Sequence, residues 1–74
     1  MFEKVREMIS ECFDIDQDEI TLSTSFQSDL GFDELDMVDL VMDVEDIFEI
    51  ELPDEDLEDI KTVGDLVKFI EENN

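Results

Sequence analysis

A helix begins within Leu30-Gly31-Phe32-Asp33-Glu34-Leu35-Asp36, a stretch that opens the most apolar helical segment of the sequence. Asp33 suits the N-cap position, because its side-chain oxygen accepts a hydrogen bond from a free backbone N–H of the first turn. Glu34 and Asp36 then place negative charge at the positive end of the helix dipole. This pattern predicts a helix that has Asp33 as its N-cap and ends near Glu49.

Two separate apolar faces run along this helix at about 100° per residue. The wider face spans an arc of roughly 120° and is predicted to pack in the core. It contains Met37, Leu40, Val41, Val44, Ile47 and Phe48. The second face, which we call the apolar strip, lies nearly opposite and consists of Leu35, Val38 and Met42. The acids that border the strip are Asp39 and Asp46 on one side and Glu45 and Glu49 on the other.

The apolar strip allows two interpretations. In one, the helix is central and buried all round, with the strip covered by a loop or by a short helix. In the other, the strip is exposed and docks on a partner, with apolar anchors for affinity and acids for steering. Acids of this kind raise the rate of encounter with a basic partner by roughly 10- to 1000-fold. We favour the docking interpretation, which implies a small, transient and salt-dependent interface.

Helices are also predicted on both sides of this segment. Residues 2–13 have the period of an amphipathic helix whose buried stripe contains Phe2, Val5, Met8, Ile9, Cys12 and Phe13. Within this stripe we expect Cys12 to be a packed small hydrophobe and not a reactive thiol. Pro53 can open a short helix over about 54–59. Thr62 and Asp65 suit a capping box for the last helix. The buried stripe of that helix is predicted to contain Val63, Leu66, Val67 and Ile70, with Phe69 near its edge.

The segment from Asp14 to Asp33 lacks helical periodicity and is predicted to be a long ordered loop. Apolar side chains can pin it across the helices, and these are Ile15, Ile20, Leu22, Phe26 and Leu30. A short helical turn is allowed over residues 24–28. The sequence therefore predicts a small all-α four-helix bundle of one domain, residues 1–74, with three longer helices and one short helix.

Composition excludes several classes of function. The 74 residues carry 25 acids and 4 bases, for a formal charge of −21, and no basic residue lies between Arg6 and Lys61. Nucleic acid and anionic membranes are therefore poor partners, whereas a basic protein surface or loosely bound divalent cations suit the charge. An acidic disordered segment would suit the charge as well, but the helical periodicity argues against it.

Catalysis and specific metal sites are not expected. The sequence has no histidine, which removes the commonest general base and most zinc sites. Asp14-Ile15-Asp16-Gln17-Asp18 begins like a calcium-binding loop, but Glu19 stands where that loop needs glycine and Ser25 where it needs a bidentate acid. Paired acids such as Asp36 and Asp39 are better explained as a solvated face than as catalytic groups.

The expected compartment follows from cysteine usage and hydropathy. Cys12 stands alone, which permits no internal disulfide and suits a reducing compartment. No apolar run approaches the roughly 18 residues of a membrane span, and the first residues lack the pattern of a signal peptide. We expect a monomer in the cytoplasm, or the mature form of an organelle protein.

The stretch quoted first resembles the helix-opening motif of bacterial acyl carrier proteins, Asp-Ser-Leu at the start of a helix. Val38-Asp39-Leu40-Val41-Met42 continues the resemblance along the same helix. The later landmarks of that family follow in order, as Phe48, Ile50-Glu51-Leu52-Pro53-Asp54-Glu55 and Ile60-Lys61-Thr62-Val63. The resemblance covers almost the whole chain.

The resemblance implies a four-helix bundle that passes thioester-bound acyl chains on 4'-phosphopantetheine between enzymes of fatty-acid or polyketide synthesis. Those enzymes and phosphopantetheinyl transferase would then be the partners, and the second helix would be the recognition helix. The partner contacts that this implies are Asp33, Leu35, Asp36, Val38, Asp39, Met42, Glu45 and Asp46. The acyl chain would lie between the helices, with Leu40, Val44, Leu57, Ile60 and Leu66 as candidate lining residues that plain core packing explains equally well.

The sequence departs from the family at Glu34, which stands where the family has the serine that carries phosphopantetheine. A carboxylate offers no stable equivalent of the serine phosphodiester, so we expect no cofactor on this chain. Ser28 precedes Gly31 and lies outside the helix start, so it is a poor substitute. Glu34 is then an engineered change, a natural feature of a relative that docks without carrying a group, or a sequence error. As a hypothesis, the Glu34 carboxylate copies the negative charge that the phosphodiester would place at this helix N-terminus.

Overall fold

Four α-helices make up the computed structural model, which describes residues 1–73. They are α1 (Phe2–Phe13), α2 (Glu34–Phe48), α3 (Asp54–Leu57) and α4 (Val63–Asn73). The prediction of an all-α bundle with three longer helices and one short helix is confirmed, and α1 has the predicted bounds. The short helix ends two residues earlier than predicted, because the hydrogen bonds from the Asp59 and Ile60 amides span three residues and not four.

The starts of α2 and α4 are fixed by the predicted capping residues Asp33, Thr62 and Asp65, and by Asp36, whose capping hydrogen bond was not predicted. The Asp36 amide donates to Oδ1 of Asp33 at 2.9 Å, and the Asp33 amide donates back to Oδ2 of Asp36 at 3.2 Å. At α4, the Asp65 amide donates to Oγ1 of Thr62 at 3.2 Å, while the Thr62 amide donates to Oδ2 of Asp65 at 3.3 Å. Each pair satisfies two N–H groups that a helix start would otherwise leave unpaired.

The long loop between α1 and α2 is ordered by backbone pairing with the start of α4. The Phe26 amide donates to the Lys61 carbonyl at 3.0 Å, and the Val63 amide donates to the Thr24 carbonyl at 2.9 Å. Ser25 and Thr62 thereby form an isolated antiparallel bridge. The loop is therefore joined to a distant part of the chain, the segment that leads into α4.

Local structure within the loop differs in detail from the sequence prediction. A 3-10 turn covers Gln17–Glu19, which the sequence pattern did not indicate. The predicted turn over residues 24–28 lies at 25–29, closed by the Asp29 amide donating to the Ser25 carbonyl at 3.0 Å. The Leu22 side chain is 52% exposed. Its carbonyl, not its side chain, pins the loop by accepting the Gly64 amide at 2.8 Å.

One hydrophobic core joins the helices and the loop. Its buried residues come from α1, α2, α4 and the connections between the helices, and are Val5, Met8, Ile9, Ile20, Phe26, Phe32, Met37, Leu40, Val44, Leu52, Ile60, Val63, Leu66, Val67 and Ile70. The Phe32 ring lies 4.5 Å from the Phe13 ring and 5.7 Å from the Phe26 ring, measured between centroids. Thr24 is a buried polar residue whose hydroxyl donates to the Glu19 carbonyl at 3.2 Å.

Two residues assigned to buried faces are exposed. Cys12 is exposed in the last turn of α1, and Ile47 is 54% exposed in the last turn of α2. The physical reason is the same for both, because the fully buried residues of α1 end at Ile9 and those of α2 end at Val44. A helical wheel treats every turn alike, whereas the core covers only part of each helix. The prediction that these two side chains are packed was therefore wrong.

The surroundings of Cys12 disfavour its thiolate form. Partial desolvation of the thiol, the hydrogen bond that its S–H donates to the Asp43 carboxylate, and the negative charges of Asp43 and Glu11 raise the pKa of Cys12 above its ordinary value. A raised pKa lowers the thiolate fraction at neutral pH, and the thiolate is the reactive form. Within residues 1–73, no helix combines the length and hydropathy that a membrane crossing requires.

Candidate functional site

The apolar strip on α2 is exposed. Leu35 is 74% exposed, Val38 45% and Met42 61%. The interpretation in which α2 is buried all round is therefore wrong, since neither the loop nor α3 covers these three side chains. Three exposed apolar side chains on one helix face form a surface that a partner helix or groove can cover.

The acids around the strip divide into two groups. Asp39, Asp46 and Glu49 are exposed and place negative charge along its borders. Asp33 and Asp36 hydrogen-bond each other's backbone amides, so their carboxylates also fix the start of α2. The predicted docking residues thus lie together on α2, and their contact with a partner stays a prediction.

Glu45 has a structural contact that the sequence did not indicate. Its Oε2 accepts a hydrogen bond from the Leu52 amide at 3.2 Å, across the connection between α2 and α3. The Glu45 side chain is half-buried, whereas its neighbour Asp46 is exposed. No local signal in the sequence marks such a bond, because it depends on the path of residues 49–52 after the helix ends.

A cleft of about 770 Å³ lies beside the strip, between the long loop, the first turns of α2 and the α3 region. Its apolar lining comes from Phe26, Met37, Val38, Leu57 and Ile60. Its polar lining includes Ser28, Glu34, Asp54, Glu58 and Lys61. Val38 belongs to both surfaces, so the strip and the cleft adjoin each other.

Only two of the five candidate acyl-lining residues line the cleft. Leu57 and Ile60 line the cleft, whereas Leu40, Val44 and Leu66 are buried in the core away from it. Phe26 and Met37 also line the cleft, although the sequence predicted that Phe26 pins the loop and that Met37 packs in the core. Met37 falls on the core face of the wheel, and Phe26 reaches the cleft only because the loop pairs with α4. Contact between the candidate residues and an acyl chain stays a prediction.

Glu34 is the first residue of α2 and is exposed at the cleft. Its side chain ends in a carboxylate, which accepts hydrogen bonds and attracts cations but provides no hydroxyl nucleophile. Ser25 and Ser28 line the same cleft from the loop side. The Ser25 hydroxyl accepts the Ser28 amide at 3.1 Å, and the Ser25 amide donates to Oδ2 of Asp29 at 2.7 Å.

The structure shows no convergent metal site in the part of the chain that it describes. Within residues 1–73, no group of three acidic or thiol side chains lies close enough to hold a metal ion. The acids instead spread over α2, α3 and the connections, as charge repulsion favours. The arrangement therefore suits electrostatic attraction of a basic surface, with the strip supplying apolar contact.

Comparison with known proteins gives a consistent result. A family model described as "Phosphopantetheine attachment site" matches residues 3–70. The chain is 48% identical over 73 residues to an acyl carrier protein of Clostridium perfringens strain 13, covering 99% of this chain and 96% of that protein. It is 51% identical over 70 residues to an acyl carrier protein of Lactobacillus johnsonii, covering 95% of this chain and 88% of that protein.

The fold is also similar to a solved structure. A chain from Mycobacterium tuberculosis, described as an acyl carrier protein, superposes with a TM-score of 0.83 at 34% sequence identity. The match covers 90% of this chain and 89% of the other. Sequence and structure therefore point to the same family over nearly the full length.

Proposed function

Since the chain belongs to the acyl carrier protein family, we propose that it docks through the apolar strip on phosphopantetheinyl transferase and on enzymes of fatty-acid or polyketide synthesis. Members of this family are carriers and not enzymes, and the group that the family carries is 4'-phosphopantetheine. The docking surface consists of Leu35, Val38 and Met42, with Asp39 and Asp46 beside them. The partner surface that fits it is basic at its rim and apolar at its centre.

The exposure of the apolar strip is the observation that carries this proposal. Leu35, Val38 and Met42 are among the most exposed large apolar side chains of the described chain. Burying one such side chain in an interface contributes roughly 1.5–3 kcal/mol before the costs of association are subtracted. A few apolar anchors therefore give a modest affinity, and the acids supply speed and orientation of encounter. Weak, fast and salt-sensitive docking suits a protein that visits several enzymes in turn.

Position 34 does not fit phosphopantetheine. Attachment needs a hydroxyl that forms a phosphodiester, and the side chain exposed at the start of α2 is a carboxylate. Ser28 lies at the same cleft, but it belongs to the turn at residues 25–29 and not to the helix start. We therefore propose that the chain docks on the partners of a carrier without being loadable at Glu34, whether that residue is natural or engineered.

The negative charge of Glu34 supports a specific version of this proposal. A phosphodiester at the start of α2 would place one negative charge there, and the Glu34 carboxylate places one there as well. A partner whose basic residues attract the modified form would then also attract this chain. Glu34→Gln removes the charge and keeps the shape, so partner affinity is expected to fall several-fold. Unchanged affinity and unchanged melting temperature would contradict the hypothesis that Glu34 copies the negative charge of the phosphodiester.

Loading is the first experiment. Intact mass is measured after incubation with coenzyme A, magnesium and a broad-specificity phosphopantetheinyl transferase, for the unsubstituted chain beside Glu34→Ser. We expect only Glu34→Ser to gain the phosphopantetheine mass, because it alone has a hydroxyl at the helix start. If the unsubstituted chain gains that mass, another residue such as Ser28 is the attachment site and this proposal is wrong. If neither gains it, the transferase does not recognise α2.

Docking itself is tested with a matched pair of variants. Met42→Ala shortens a side chain of the strip, whereas Ile47→Ala shortens a similarly exposed side chain of α2 outside the strip. Binding to the same transferase is measured by titration at low and at physiological salt. We expect Met42→Ala to weaken binding by roughly tenfold and Ile47→Ala to change it by less than about twofold. Equal losses would place the interface elsewhere on α2.

A further inference from the structure

We propose that Glu45 is a positioning residue: its carboxylate tethers the connection between α2 and α3, and docking on the apolar strip releases that tether and loosens α3 at the cleft. The tether follows from contacts within the chain. Its release by a partner rests on the docking function proposed above. Glu45 thereby acts through Leu52 and α3, in addition to lending charge to the border of the strip.

The tether joins the last turns of α2 to the residue before Pro53. Oε2 of Glu45 accepts the Leu52 amide at 3.2 Å, and the Leu52 side chain is only 4% exposed. Pro53 has no amide hydrogen to donate, so the Leu52 amide is the last donor of the connection before α3. Glu49 begins the connection in the left-handed region with φ of 55°, which turns the chain away from the helix axis. The Glu45 carboxylate thus satisfies the partly buried Leu52 amide, which has no hydrogen-bond partner within a helix.

Helix α3 depends on its ends for its position. It has only four residues, Asp54–Leu57, and none of them is fully buried. A helix of one turn is not stable by itself, because the conformational entropy lost in forming the first turn outweighs the free energy gained from its few hydrogen bonds. The buried side chains that flank it are Leu52 on one side and Ile60 on the other. Fixing Leu52 therefore fixes the wall of the cleft that contains Asp54 and Leu57.

The tether lies beside the docking surface. Glu45 is three residues after Met42 and seven after Val38, spacings that place all three on one side of α2. A guanidinium binds a carboxylate through two parallel hydrogen bonds that use both oxygens. An arginine of a partner seated on the strip would therefore compete with the Leu52 amide for Oε2. Docking would then weaken the hold on Leu52 and open the cleft at α3.

The tether is tested in the free protein by amide hydrogen exchange, measured by NMR. Glu45→Ala removes the acceptor, Glu45→Gln keeps an acceptor oxygen without the charge, and Asp46→Ala removes an adjacent exposed carboxylate as the matched control. We expect exchange at the Leu52 and Leu57 amides to speed up on the order of tenfold in Glu45→Ala. Glu45→Gln is expected to restore most of the protection, and Asp46→Ala to leave it unchanged. Equal acceleration in Glu45→Ala and Asp46→Ala would overturn the tether.

The release by a partner is tested on the unsubstituted chain, so it does not depend on a variant that folds poorly. Exchange at the same two amides is measured with and without the phosphopantetheinyl transferase at saturating concentration. Faster exchange at Leu52 and Leu57 in the complex supports release. Equal or slower exchange in a complex that forms overturns release and leaves the docking function intact. If no complex forms, the docking function fails and release fails with it, while the exchange data on the variants still decide the tether.

Discussion

The two connections that flank α2 are held in different ways. The first, residues 14–33, is long and largely irregular, yet it buries Ile20, Phe26 and Phe32 and its backbone pairs with residues 61–64, which end the second connection and begin α4. The second, residues 49–62, is shorter and contains α3, yet α3 has no fully buried residue. Each connection is therefore held by its buried side chains and backbone pairing, and not by its length or helical content. The more regular connection is anchored at its two ends, by Leu52 and by the pairing at Lys61 and Thr62, and not along α3.

From this difference we expect the candidate site to lie at the border of a firmly held region and a more mobile one. The cleft has one wall from the first connection, through Phe26, and another from the second, through Leu57. Segments that open at low free energy are those with few buried apolar contacts. The wall at α3 is therefore expected to move while the wall at Phe26 stays in place.

The largest expected effect comes from truncating one apolar side chain in each wall. Phe26 is fully buried, so Phe26→Ala is expected to cost about 3–5 kcal/mol, a large part of the stability of a domain this small. Leu57 is half-buried, so Leu57→Ala is expected to cost about 1 kcal/mol. Urea unfolding followed by circular dichroism measures both. Similar losses would show that the two connections are equally important for stability.

A smaller effect is expected from the contact that joins the first connection to α4. A Cβ added at Gly64 would lie 2.7 Å from the Leu22 carbonyl oxygen, so the loop must move to admit it. Gly64→Ala is expected to cost about 2 kcal/mol net, because crowding outweighs the gain in helix propensity. Thermal unfolding measures this loss.

Gly31→Ala is the control for this change. Gly31 has φ of 69° and nothing within 4 Å of an added Cβ, so the change adds backbone strain without crowding. Its expected cost is about 1 kcal/mol. A larger loss for Gly31→Ala than for Gly64→Ala would mean that the turn before α2, and not the contact with α4, holds the first connection.

The helices were predictable from the sequence because their signals are local. Asp33, Thr62 and Asp65 lie within a few residues of the amides that they cap, and the buried stripe of α4 repeats at the helical period. The exposure of Cys12 and Ile47 was not predictable from the wheel, since it depends on where the core ends along each helix. The bond from Glu45 to Leu52 and the position of Phe26 at the cleft depend on the paths of the connections, which no short pattern encodes.

The smallest expected effect concerns magnesium, and it separates the two connections most directly. Acids crowd the second connection, where Glu49, Glu51, Asp54, Glu55 and Asp56 follow one another closely. Loosely bound magnesium would relieve their repulsion by neutralising part of the negative charge. Protection of the Leu57 amide, which donates to the Pro53 carbonyl at 3.1 Å, is therefore expected to rise by about twofold to threefold at millimolar magnesium.

The Phe32 amide, which donates to the Phe26 carbonyl at 2.8 Å, reports on the first connection in the same spectrum. Its protection is expected to change less, because pairing with Phe26 and burial of the ring hold it independently of charge. Sodium chloride at equal ionic strength separates general screening from binding of the divalent ion. An equal rise at both amides would mean that magnesium stabilises the whole domain. The looseness of α3 would then come from its few buried contacts alone, without a contribution from the acids around it.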